Sequence, residues 1–181
     1  MSFGFHDEIP AISVAIWEAQ TFRRDKILFF AAAANSGGNQ REMFPARHDS
    51  VVSIRETNSN GLFSDTNPPV DRDGPAVYGT LGRDVPSAWL RTVEGELAKS
   101  GSSVATAVAA GIAAMTLAYA NTGLLGPSDV AKLRTRRGML RMFAKMSENM
   151  GDRCFFLSPA RFFLDRDETS CWAAMIDACS Y

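Results

Sequence analysis

The sequence predicts an α/β domain with a mostly parallel sheet flanked by helices. Three observations predict it. Residues 26–34, Lys-Ile-Leu-Phe-Phe-Ala-Ala-Ala-Ala, are apolar without alternation, as a strand covered on both faces must be. Ser50-Val51-Val52-Ser53-Ile54 repeats that character after a Gly/Asn loop. Helical spacing precedes the first strand and dominates the last third of the chain, the alternation that builds parallel sheets.

The elements follow in order. Met1-Ser2-Phe3-Gly4-Phe5 reads as the tail of a strand. Pro10 suits the first turn of a helix, and Ile12, Ala15, Ile16 and Ala19 recur at its period. The strand over 26–34 ends in Asn35-Ser36-Gly37-Gly38-Asn39, a loop signal. Residues 55–75, rich in Asn, Ser, Pro, Asp and Gly, read as a long surface connection. A third strand is predicted over 76–81 and a turn over 82–87. Lys99-Ser100-Gly101-Ser102-Ser103 then opens a helix of small residues running through Tyr119, one slim enough to cross a crowded interior. Pro127-Ser128-Asp129 starts another helix. Met139, Met142, Phe143 and Met146 share one side of a further helix over 138–146, a core stripe. Asp167 to Ser180 reads as a short amphipathic helix, and Phe155, Phe156, Phe162 and Phe163 as core anchors among closing helices.

At 181 residues with 46% hydrophobic content, the chain fits one domain with a sizeable core. A net charge of −1 gives no electrostatic case for nucleic acid or an acidic membrane. The run Lys132, Arg134, Arg136, Arg137 reads as a solvated helix face. Cys154, Cys171 and Cys179 are odd in number and lack metal-ligand spacing, which fits a reducing, cytoplasmic setting. The start lacks the pattern of a signal peptide. Val104–Ala120 reads as slightly short and weakly apolar for a membrane span, being broken by Thr106, Gly111 and Thr116. No pattern calls for a cofactor or a metal, calcium included.

The chemistry concentrates at two places. A serine at the start of a helix sits beside free backbone N–H groups and the positive end of the helix dipole, where an oxyanion gains most. Gly101-Ser102-Ser103-Val104-Ala105 nearly fits the nucleophile-elbow pattern. It fails for want of a buried strand before it, where Glu94-Gly95-Glu96-Leu97-Ala98-Lys99 stands, and of a histidine after it. The second place is Asn35 at the end of the first strand. Asn35-Ser36-Gly37-Gly38 could also be a phosphate loop of a nucleotide-binding module, but it lacks both the Walker and the Rossmann glycine spacing.

Taken together, Ala31-Ala32-Ala33-Ala34-Asn35 and Ser100-Gly101-Ser102-Ser103-Val104-Ala105 resemble the subtilisin-like serine peptidases, with their Gly-Thr-Ser-x-Ala-x-Pro helix start. The likeness extends to Met43-Phe44-Pro45-Ala46, Asn60-Gly61-Leu62-Phe63-Ser64 and Asp84-Val85-Pro86-Ser87 between them. It covers residues 1–120 and in detail is similar to intracellular subtilases of filamentous fungi. The resemblance implies that Ser103 is the nucleophile. It also implies that the Asn35 amide and the Ser103 N–H hold the oxyanion, and that a peptide or protein substrate lies along Ser2, Phe3 and Gly4. Ser102 stands where Thr is usual, and Ala107 replaces the motif's Pro.

The family's Asp and His motifs, which precede the Asn, have no match here. His6 and His48 lack the flanking pattern. A chymotrypsin-like order of His48 with Asp65 or Asp71 lacks its Gly-Asp-Ser-Gly-Gly signature. The expectation is a partial subtilase catalytic domain over 1–181, lacking its N-terminal strands, with motifs in 1–120 and closing helices over 121–181. It would be a serine endopeptidase in origin with little activity alone. The alternative is a non-catalytic fragment that binds peptide or a partner chain.

Overall fold

The structure, a computed structural model, describes residues 1–23, 26–37, 40–71, 73–87 and 98–181. Residues 38–39 of the first loop and 94–97 before the serine turn lie outside that range.

Helix α1 (Pro10–Arg23) is followed by strands β1 (Phe29–Ala32), β2 (Val51–Thr57), β3 (Val77–Leu81), β4 (Val85–Pro86) and β5 (Ala98–Lys99). Then come α2 (Ser102–Ala120), α3 (Pro127–Leu133), α4 (Arg136–Met146), β6 (Ser147–Asn149), β7 (Cys154–Leu157), α5 (Pro159–Leu164) and α6 (Glu168–Cys179). The main sheet has five strands in the order β1-β2-β3-β7-β6, with β1, β2, β3 and β7 parallel and β6 antiparallel. Phe29 pairs with Val51, Ile54 with Tyr78 and Val77 with Cys154, so β1 and β2 start level and β2 and β3 end level.

Side chains alternate between two cores. Ala31 and Val51 join Ile16 of α1 on one face. Phe30, Val52, Ile54 and Tyr78 face α2 and α4 on the other, where Met139, Met142, Phe143 and Met146 are all buried. The methionine stripe is core, as its helical spacing requires. Phe143 meets both Phe30 and Tyr78 at ring-centroid distances of 6.1 Å.

Several expectations change. Residues 147–157 are not helical: β6 and β7 form a hairpin that adds to the sheet, with Phe155 and Phe156 paired to Tyr78 and Gly79. Their short apolar run follows the turn at Gly151-Asp152-Arg153, whose three residues all have positive φ. Only β7 of this hairpin lies against β3, so 121–181 extends the sheet as well as covering it. Residues 1–5 form no strand of their own, although Met1 bonds the β1 backbone at Phe30 and Ala32 and Phe5 bridges Phe44. The turn at 82–87 includes β4, which pairs with β5 as a two-stranded ribbon.

Helix α2 does not run through a fully enclosed interior. Ala105, Ala109, Ile112, Ala113 and Thr116 lie on the sheet, while Ala107, Gly111, Ala114, Met115 and Ala118 are exposed. By length and composition alone its 19 residues would suffice to cross a membrane, as those of a core helix can. Here its inner face packs on β1, β2 and β3. The basic run is also less free than its charge suggests. Arg136 donates to the Val51 carbonyl, Arg137 stacks on Tyr181, and Lys132 pairs with Asp129.

Candidate active site

The site is built where parallel strands end and α2 begins, the edge at which open α/β sheets place their chemistry. Past β1, Ala33 donates to the Ile54 carbonyl and accepts from the Met43 N–H, both at 3.0 Å. The chain therefore stays extended through four buried alanines, whose small side chains let it pass between layers. It then delivers Asn35 to an exposed position above the sheet.

From the other direction, β3 hands over to Gly82, whose N–H bonds Thr57 and whose carbonyl takes the Gly101 N–H, each at 2.9 Å. A side chain on Gly82 would meet the Gly101 carbonyl and Ala105 Cβ at 2.9 Å, so only glycine allows this approach. Ser100 adds a second tie, its hydroxyl accepting from the Asp84 N–H at 2.9 Å. Below the turn, the buried Glu56 carboxylate meets Arg83 at 3.4 Å, and Arg83 reaches the Ser64 hydroxyl at 2.8 Å.

Gly101 caps α2 with φ 134° and ψ 162°, a conformation that favours glycine. No side chain of the helix caps its own start, and its first turn holds no acid. Instead Asn35, 67 residues away, accepts the Ser102 N–H on Oδ1 at 2.7 Å. That donor can only donate, so the amide's carbonyl is the bound end and its NH2 is the free one. Nδ2 lies 3.1 Å from where a Gly101 side chain would start. Among the described residues the Ser103 N–H and hydroxyl have no hydrogen-bond partner. Ser103 is half-buried, whereas Ser102 is fully buried with its hydroxyl unpartnered. The result is one oriented amide and one open N–H at the positive end of a helix, an arrangement suited to negative charge developing on a carbonyl oxygen.

The remaining sequence candidates do not all share this edge. Ser2, Phe3 and Gly4 are exposed, strung between the Met1 contacts on β1 and the Phe5–Phe44 bridge, with Gly4 against Met43. Among the described residues no backbone hydrogen bond holds these three. His48 precedes β2, and its Nδ1 accepts the Ser50 N–H at 3.1 Å. That leaves it at the opposite end of the sheet from Ser103, about 20 Å away by the length of a seven-residue strand. Asp65 lies beyond β1 against Gly37, and Asp71 accepts the Asp73 N–H in its own turn, so neither joins His48. His6 is exposed, with its carbonyl bound by Arg47. The three cysteines are free, and burial raises each thiol's pKa. Sequence reasoning missed Gly82, whose role as a spacer against α2 has no local signal beyond its place in a turn.

The family model of the subtilases matches residues 1–140, most of the chain. The chain belongs to the subtilase family. Subtilase-like architecture is equally plain in solved structures. The protease domain of PatA superposes with a TM-score of 0.66 at 19% identity, over 98% of this chain and 58% of that one. The prenylagaramide maturation protease PagA gives 0.66 at 19% identity, over 99% and 59%. The PatG macrocyclase domain gives 0.63 at 11% identity, over 97% and 51%. This subtilase chain thus spans between half and three-fifths of the length of these structures. No curated protein sequence gives a significant match.

Proposed function

We propose that this chain carries the nucleophile-bearing part of a subtilisin-like serine endopeptidase. Ser103 Oγ attacks the scissile carbonyl of a peptide lying along Ser2, Phe3 and Gly4. The Asn35 NH2 and the Ser103 N–H donate to the oxygen as it becomes negative. The observation that carries the reading is the 2.7 Å bond from the Ser102 N–H to Asn35 Oδ1, which fixes which end of the amide is available. Among the described residues neither histidine ring bonds Ser103, so by this reading the chain alone is without the family's histidine base and has little peptidase activity. Within the family, the sequence resemblance favours the intracellular subtilases of fungi, and with them a cytoplasmic setting.

Prolonged reaction with a fluorophosphonate, followed by peptide mapping, tests this. The expected result is slow modification at Ser103 and not at Ser100 or Ser102. Asn35→Leu slows it by about 10²–10³, a magnitude taken over from the matching loss in subtilisin itself. Equal rates in the two proteins, or modification at Ser102, would remove the assignment. Rapid labelling would overturn only the statement that the chain is inactive alone.

A further inference from the structure

Strand β2 carries a polar group that the peptidase reading does not use. Arg55 on β2 is 5% exposed, yet its Nε and Nη1 have no hydrogen-bond partner. Among the described residues its one hydrogen bond, Nη2 to the Pro69 carbonyl, is long at 3.4 Å. A buried guanidinium with most of its donors unmet costs several kcal/mol unless an anion meets it, on the order of what burying any ion costs. Burial also lowers the Arg55 pKa, with Glu42 opposing the shift.

Arg55 lies in the wall of a cavity of about 240 Å³ between the loop at 42–49, the starts of β2 and β3, and α4. Three of the cavity's charged groups are cations, Arg47, Arg55 and Arg136, against two acids, Glu42 and Asp49, with His48 beside them. Glu42 is already engaged by the Ser53 hydroxyl. Helix α4 opens on this cavity with Arg136 and has no acid in its first turn, the reverse of what a helix start prefers. The start of α4 is already capped by Thr135, so an anion in the cavity would answer the orphaned guanidinium alone.

We propose that this cavity binds a small oxyanion, a phosphate or a short dicarboxylate, with Arg55 as its principal partner. The guanidinium turns toward the cavity on binding and gives up only the long contact to Pro69. None of the residues lining the cavity belongs to the proposed peptidase site, so the proposal stands whether or not that reading does.

Thermal melts and calorimetry on the whole chain test it, with inorganic phosphate and succinate each compared against sodium chloride at equal ionic strength. One of the two oxyanions is expected to bind saturably and raise Tm while chloride does not, and which one does so separates the two sources. Arg55→Met abolishes the response, and Arg47→Ala, at an exposed position, weakens binding about tenfold. Should Arg55→Met fail to fold, Arg47→Ala carries the test alone. No saturable response to either ion, or a response undiminished in the variants that fold, overturns the proposal.

Discussion

Two kinds of helix start coexist in this molecule. Helices α4 and α6 are sealed locally: the Thr135 hydroxyl accepts the Gly138 N–H at 3.1 Å, and the Asp167 carboxylate accepts the Ser170 N–H at 2.7 Å. Helix α2 is left open. Its cap is a glycine, its only side-chain partner comes from 67 residues away, and the Ser103 N–H has no acceptor among the described residues. A local cap stabilises by satisfying a donor that the helix cannot satisfy itself. Leaving one unsatisfied forgoes that stability and keeps a donor in place for a ligand. The contrast separates helix starts sealed by their own side chains from α2, whose open donor lies beside the candidate site. The short α3 and α5, also without a side-chain cap, carry no such candidate.

The largest expected effect tests whether the open start depends on its backbone. Gly101→Ala places a side chain at φ 134° and 3.1 Å from Asn35 Nδ2. We expect a loss of about 1–3 kcal/mol in urea denaturation, the usual cost of a strained non-glycine residue. We also expect faster hydrogen exchange at the Ser102 amide as Asn35 is pushed away. Unchanged stability would mean that the turn tolerates other conformations and that the opening is not enforced.

Next in size is the sealed start of α4. Thr135→Ala removes the acceptor for Gly138 and the hydroxyl contact to Tyr181, and should cost about 1–2 kcal/mol by the same measurement. Asn35→Leu should cost a comparable amount, about 1–2 kcal/mol, because Ser102 is buried and its released N–H loses its acceptor. If Asn35→Leu proved clearly the more damaging of the two, Asn35 would be first a structural cap, and the division between the two kinds of start would fail.

This division also explains what the sequence made legible. Asp167 and Ser170 are three residues apart, so their helix start is readable from spacing alone, and the helix over 168–179 was expected within a residue at each end. The strand at 51–57 was foreseen from Val51, Val52 and Ile54, but its last residues, Glu56 and Thr57, are polar. They are buried because Asn67 bonds both the N–H and the carbonyl of Glu56 from another loop. The β6–β7 hairpin escaped notice because four residues, Cys154–Leu157, are too few to show a period and their partner strand lies over seventy residues earlier. The family resemblance singled out Asn35 and Ser103, but no local pattern could give the amide's orientation, which depends on a contact across 67 residues. The Arg55 cavity was invisible for the same reason, being assembled from the loop at 42–49, two strands and a helix.

The smallest effect turns the comparison into one of charge. Asp167 is ionised in its cap, and its hydrogen bonds from the Ser170 N–H and hydroxyl hold its pKa below the ordinary carboxyl value. A carboxyl whose folded pKa is depressed adds stability above its unfolded pKa, near 4, and loses it as pH falls through the lower folded value. Asp177 at the other end of α6 behaves the same way, held down by its hydrogen bond and 2.6 Å ion pair with Lys145. The cap of α2 contains no titrating group, since Asn35 and Gly101 carry none. Acidification below about pH 4 should therefore loosen α6 while leaving the Asn35–Ser102 bond intact. Tm measured against pH for wild type, Asp167→Ala and Asp167→Asn separates the contributions. Wild type should exceed both variants at neutral pH and fall toward Asp167→Asn in acid, because the protonated carboxyl still accepts the Ser170 N–H. Asp167→Asn, which keeps an uncharged acceptor, should hold a constant margin over Asp167→Ala throughout. Residue-resolved exchange in the same acid range should show the Ser170 amide losing protection and the Ser102 amide keeping it. Loss of both together would mean that α2 and α6 open as one unit, and that the open start is no more independent of the closing helices than the sealed ones.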